Sequence, residues 1–165
     1  MPDLNYVLDA NVFIEAHKRY YAFDICPGYW SALLDRHSGA RVFSIDRVRD
    51  ELLDQSDALA DWAKQLPVTF FAGTGNRPDT EWYGRIMTWL QAQTAYSAAA
   101  KTDFAAKADG WLIAHAKAQG LTVATDEVLN PAIKRRVPVP NVCVAFGVDY
   151  VNTFDMLRAL RASFR

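Results

Sequence analysis

Tyr6-Val7-Leu8-Asp9-Ala10-Asn11-Val12-Phe13-Ile14 joins a short apolar run to the start of a helical pattern, with an acid at the junction. Leu4 to Leu8 reads as a strand. Asn11 to Tyr20 reads as a helix whose apolar side is Val12, Phe13, Ile14 and Ala16. A strand that passes through an acid straight into a helix is the opening of a βαβ unit. The same grammar recurs downstream. Arg41 to Ile45 reads as a strand, with Asp46 capping a helix through Asp54, and Leu121 to Thr125 as a buried strand ending at Asp126.

Between these runs the periodicity predicts helices over Tyr29 to His37, Asp57 to Gln65, Pro78 to Tyr96, and Thr102 to Gln119 with Gly120 as its stop. Pro67 to Ala72 and Val142 to Phe146 read as strands, and Thr153 to Ser163 as a last amphipathic helix. The order implies an α/β fold around a mostly parallel sheet, formed by one domain over residues 1–165.

Composition agrees with one packed core. The 165 residues are 51% apolar, 13% aromatic and 22% charged, which argues against a disordered or fibrous class. No apolar run approaches the ~20 residues that span a bilayer, and Met1-Pro2-Asp3-Leu4-Asn5 lacks the basic start of a signal peptide, so a soluble, cytoplasmic protein is expected. Two cysteines, Cys26 and Cys143, fit neither a disulfide framework nor a zinc site. The net charge of −1 is unevenly spread. Residues 1–82 carry 8 basic and 13 acidic side chains, residues 83–165 carry 10 and 6. Such polarity can focus a polyanion on one face, or reflect nothing more than two differently solvated faces.

Four acids stand where folding alone would not put them. Asp9 and Asp126 end strands, which is where ligands gather in an open parallel sheet, and where Asp also serves as a helix N-cap. Asp109 falls on the stripe of Ala105, Leu112, Ile113 and Ala116, and a buried carboxylate must be paired, protonated or metal-bound. Asp103 and His115 point off that stripe and read as surface residues. Glu51 lies about 60° from Val48, at the edge of the face made by Ile45, Val48 and Leu52. Gathered together, such carboxylates suit Mg2+ or Mn2+, and a cation held that way serves phosphate chemistry.

These residues resemble the motifs of the PIN domain, the ribonuclease fold of VapC-type toxins. Tyr6 to Ile14 resembles its first motif, Val48-Arg49-Asp50-Glu51-Leu52 its second, Ala108-Asp109-Gly110-Trp111-Leu112-Ile113-Ala114 its third, and Val123-Ala124-Thr125-Asp126 its fourth. Pro140-Asn141-Val142-Cys143, Phe146-Gly147-Val148 and the helix through Met156-Leu157 resemble a bacterial PIN-like subfamily of unknown function. The sequence departs from the pattern at Thr125-Asp126-Glu127, where either acid can be the fourth and Asp126 is preferred.

The resemblance implies a three-layer α/β/α sandwich with a central, mostly parallel sheet, and a metal-dependent endoribonuclease. Asp9, Glu51, Asp109 and Asp126 would hold one or two Mg2+ or Mn2+ ions, with a metal-bound water attacking the RNA phosphodiester. Asn11 and Thr125 would orient a water or ligand, or else cap the local backbone. It implies too a toxin–antitoxin setting, with a cognate antitoxin and a possible homodimer as partners.

Lys134, Arg135 and Arg136 follow the fourth acid closely enough to bind phosphates, or to be a solvated loop. Lys18, Arg19, Tyr20 and Tyr21 form a basic-aromatic cluster that can hold single-stranded RNA, or simply pack. Trp82, Ile86, Met87, Trp89 and Leu90 suit the core or a partner interface. Two other classes compete: a non-catalytic regulatory or RNA-binding module, and a haloacid-dehalogenase-like phosphatase with Asp9 as nucleophile. For the phosphatase, Asn11 stands where the general acid should be.

Overall fold

The structure, a computed structural model, describes residues 4–164. Five parallel strands lie in the order β3-β2-β1-β4-β5: β1 Tyr6–Leu8, β2 Val42–Ile45, β3 Phe71–Ala72, β4 Thr122–Ala124 and β5 Tyr150–Val151. The strands are short, and β1 and β4 are buried along their whole length. Continuous apolar runs of that kind belong to a sheet covered on both faces. Helices supply the cover, so the chain is a three-layer α/β/α sandwich: α1 Ala10–Glu15, α2 Pro27–Ser38, α3 Asp46–Leu53, α4 Ala58–Gln65, α5 Arg77–Ala92, α6 Ala98–Ala106, α7 Asp109–Gln119, α8 Val139–Phe146 and α9 Thr153–Ala159. Among the described residues no helix is long and apolar enough to cross a membrane.

Register brings the ends of the central strands level. Leu8 pairs with Ala124, and the Asp9 amide donates to the Ala124 carbonyl at 2.9 Å, so Asp9 and Thr125 leave the sheet side by side. Beyond β1 the chain turns directly into α1, which finishes in a π-helical turn over Ala16–Tyr20. Under the sheet, Phe13, Phe70, Trp62, Trp30 and Phe23 form a contiguous aromatic cluster.

Three elements differ from the sequence reading. Val142 to Phe146 is not a strand but the body of α8. The valines favour a strand, but Pro140 in the first turn gives up no needed donor, and Gly147 adopts φ 66° to end the helix. The last strand is Tyr150–Val151. The helix expected over Thr102 to Gln119 is two helices, α6 and α7, broken at Lys107 and Ala108. No proline or glycine marks the break. Glu51 Oε1 accepts the Ala108 amide at 2.6 Å and so supplies the hydrogen bond that starts α7. Pro67 to Ala72 contains a 3-10 turn, Val68–Phe70, with only two strand residues after it.

Smaller shifts concern helix ends. Asp46 is the first residue of α3 rather than its cap, and its carboxylate accepts from the Arg47 and Thr74 amides and the Thr74 hydroxyl. Helix α5 starts after Asn76, whose side chain accepts the Asp79 amide, and it ends at Ala92. Gly110 lets α5 and α7 approach closely. A Cβ there would come within 2.9 Å of Met87 Cε and 3.0 Å of Tyr83 Cε2.

Candidate metal centre

The carboxyl ends of β1 and β4, the inner face of α3 and the start of α7 converge on a cavity of about 250 Å³. Asp9, Glu51, Asp109 and Glu127 line it, with Asn11, Asp103, Lys107 and Arg136 at its margins. Three of the four acids read from the sequence therefore meet. The fourth does not. Asp126 turns to the other side of the loop, where its Oδ1 accepts the Thr153 hydroxyl at 2.7 Å and the Thr153 amide at 3.2 Å at the head of α9. Glu127 takes the place expected of Asp126. Hydrogen bonding to the head of α9 holds Asp126 away from the acid cavity and leaves that place to Glu127.

Asp9 is only 3% exposed. Burial, and then the charges of Asp109 and Glu127, hold its carboxyl well above the usual range, although the Thr125 hydroxyl and the Ala10 amide work the other way. Asp109 is pushed up to about 7 by burial, then by Glu127 and Glu51, with Lys107 opposing. Glu51 is raised by burial and partly offset by the Ala108 amide. These are the shifts expected of like charges sharing a poorly solvated site.

Supporting groups fix the geometry. The Thr125 hydroxyl donates to Asp9 Oδ2 at 2.9 Å and its oxygen accepts the Glu127 amide at 3.2 Å. Asn11 Oδ1 accepts the Asp126 amide at 3.2 Å, which pins the loop that carries both acids. Thr125 thus touches an acid directly, whereas Asn11 acts on the backbone. Glu127 is paired with Arg136. Lys107 is tied to Asp103 at 2.9 Å, and that hydrogen bond is the first cause of its raised pKa. Asp103 is exposed, as the sequence reading has it, and stands at the rim of this cavity.

Of the basic run, Arg136 alone reaches the cavity. Lys134 and Arg135 are exposed and outside its lining. Tyr21 stacks on Tyr29 with centroids 4.5 Å apart, while Tyr20 points to solvent. On α5, Ile86 and Leu90 are buried and Trp82, Met87 and Trp89 half-buried. His115, expected at the surface, is buried in the α5–α7 seam, with Nδ1 2.6 Å from Asp79 Oδ2.

Among the described residues, no three carboxylate, imidazole or thiolate groups are already gathered tightly enough to hold an ion. The hydrogen bonds explain why: Glu51 is turned to the Ala108 amide and Glu127 to Arg136. The donor set itself is all carboxylate oxygen, which fits a hard divalent cation and not zinc.

Fold and pocket together define an α/β/α protein with an acid-lined cavity at the carboxyl edge of a parallel sheet. The chain belongs to the family described as Domain of unknown function (DUF4411), whose model matches residues 6–164. No curated protein matches it.

Proposed function

We propose that this protein is a metal-dependent endoribonuclease with a PIN-like site, hydrolysing RNA phosphodiester bonds. The observation that carries the reading is the meeting of Asp9, Glu51, Asp109 and Glu127, from four separate segments, around one small cavity. A fold gains nothing from buried, mutually repelling carboxylates, so a cation is the natural reason for them.

Those four side chains would hold Mg2+ or Mn2+. When bound, such an ion supplies Lewis acidity toward a phosphoryl oxygen and a water. The chain's own residues set the rest. Thr125 holds the Asp9 carboxylate in one orientation. Asp109, whose carboxyl is pushed up to about 7, must be free of its proton to act as a ligand. Arg136 and Lys107, at the margin, offer positive charge to a phosphate that approaches the acids. No serine, cysteine or histidine lines the cavity, which fits attack by water better than a covalent intermediate.

A non-catalytic RNA-binding module is the second reading, and one observation favours it: Arg136 already satisfies Glu127. Labelled single-stranded RNA and DNA incubated with Mn2+, Mg2+ or EDTA separate the two. The nuclease reading expects metal-dependent cleavage by wild type, lost at least a hundredfold in Asp9→Asn and Asp109→Asn. Uncut RNA under every metal, with no calorimetric Mn2+ binding, leaves the binding module. Growth arrest on expression of wild type but not Asp9→Asn extends the proposal to a toxin.

A further inference from the structure

A second, larger cavity of about 960 Å³ opens beside the acid pocket and shares Asn11, Glu127 and Arg136 with it. The size is at the upper end for ligand sites. Its wall carries Tyr20 and Phe154, 54% and 40% exposed, with ring centroids 5.6 Å apart and planes at 83°. Two large aromatic side chains left in water at the mouth of a cavity are not there for the core.

The backbone under Tyr20 is also unusual. Helix α1 finishes in a π-helical turn, in which the Tyr21 amide bonds back to the Ala16 carbonyl at 2.8 Å. Such turns are rare and concentrate at functional sites. Here the turn ends with Tyr21 packed against Tyr29 and Tyr20 set opposite Phe154.

Charge selects the occupant. Four carboxylates line the cavity; three are paired with arginines and the fourth is hydrogen-bonded. Glu15 pairs with Arg19 at 3.1 Å, Asp155 with Arg158 at 3.1 Å and Glu127 with Arg136, while Asp126 is bonded by Thr153. The arginines are the more exposed members of their pairs. An aromatic and apolar wall edged by solvent-facing guanidinium groups suits flat rings inside and phosphates outside.

We propose that this cavity seats unpaired bases of a single RNA strand whose backbone continues past Arg136 to the acid pocket, with Tyr20 and Phe154 as the stacking surfaces. The proposal rests on the nuclease reading of that pocket. It assigns the protein single-stranded rather than duplex RNA, because a paired base cannot reach a side chain in this way.

The test uses fluorescein-labelled ten-nucleotide single-stranded RNAs and fluorescence anisotropy in EDTA, so that binding is read without cleavage. Wild type should bind the single strand more tightly than a duplex of the same sequence. Tyr20→Ala and Phe154→Ala should each weaken binding roughly tenfold, while Tyr20→Phe and Phe154→Tyr restore it. Both positions are exposed, and unchanged thermal melting excludes misfolding. The proposal is overturned if the alanine variants bind as wild type does, if duplex binds as tightly, or if wild type binds no single strand. Cleavage is scored separately. Metal-dependent cutting with aromatic-independent binding removes the base cleft and leaves the nuclease. Aromatic-dependent binding without cutting does the reverse.

Discussion

Two buried carboxylates, Asp79 and Asp9, show what separates an acid that holds a fold together from one that burdens it. Asp79 sits in the first turn of α5, where its Oδ2 lies 2.6 Å from His115 Nδ1 and 3.1 Å from Asn76 Nδ2. Its neighbours are donors, and the contact ties α5 to α7. Asp9 has the Thr125 hydroxyl and the Ala10 amide as donors and otherwise faces Asp109 and Glu127, which push its proton affinity up. The first arrangement is paired within the protein through Oδ2, although Oδ1 stays buried without a hydrogen-bond partner. The second sets like charges against one another, an imbalance that the proposed cation would relieve.

The largest effect should come from the paired acid. His115→Ala takes from Asp79 one of its two side-chain partners in the seam and should cost about 3–5 kcal/mol, the usual penalty for breaking a buried pair. The shift of the urea midpoint measures it. A loss below 1 kcal/mol would mean that the seam is wetter than its burial indicates.

The acid pocket should respond in the opposite direction. Asp109 in the folded protein keeps its proton to about pH 7, whereas the unfolded chain releases it near pH 4. Over that window the folded state binds more protons, so stability of the metal-free protein falls as pH rises, on the order of a few kcal/mol by pH 8. Asp109→Asn should flatten the slope and be more stable than wild type at pH 8 in EDTA. Urea titrations at pH 5 and pH 8 decide it, and an unchanged slope in the variant rejects the assignment. In wild type, Mn2+ at pH 8 should restore stability in proportion to its binding.

Within the loop after β4 the contrast narrows to adjacent residues. Glu127→Gln should weaken Mn2+ binding about tenfold with little change in melting temperature. Asp126→Asn should leave Mn2+ affinity within a factor of about two, and should lose about 1 kcal/mol through its bonds to Thr153. Calorimetry and thermal melting on the two variants suffice. Reversed behaviour would return the fourth position to Asp126.

Much of this was open to a reader of the sequence. Apolar runs at Tyr6 and Thr122 that end at acids marked the central strands, because a strand buried on both faces needs continuous apolar residues. The same argument placed Asp9 at the ligand-binding edge. Asp109 was found for an imperfect reason, since the stripe that drew attention to it assumed one helix across Lys107. His115 was misread because angular position was measured against that single stripe. The apolar face of a buried helix is wider than one stripe when a second helix packs beside it, as α5 does here.

Sequence by itself determined the alternation of strands and helices, the apolar centre of the sheet and three of the pocket acids, since each follows from local periodicity and from where a strand ends. Tertiary structure alone decided that Glu127 and not Asp126 enters the pocket, that Glu51 breaks a helix fifty-seven residues away, and that Arg136 rather than Lys134 or Arg135 reaches the acids. These depend on the direction of a side chain at a loop or on a bond between distant residues. Neither leaves a period in the chain.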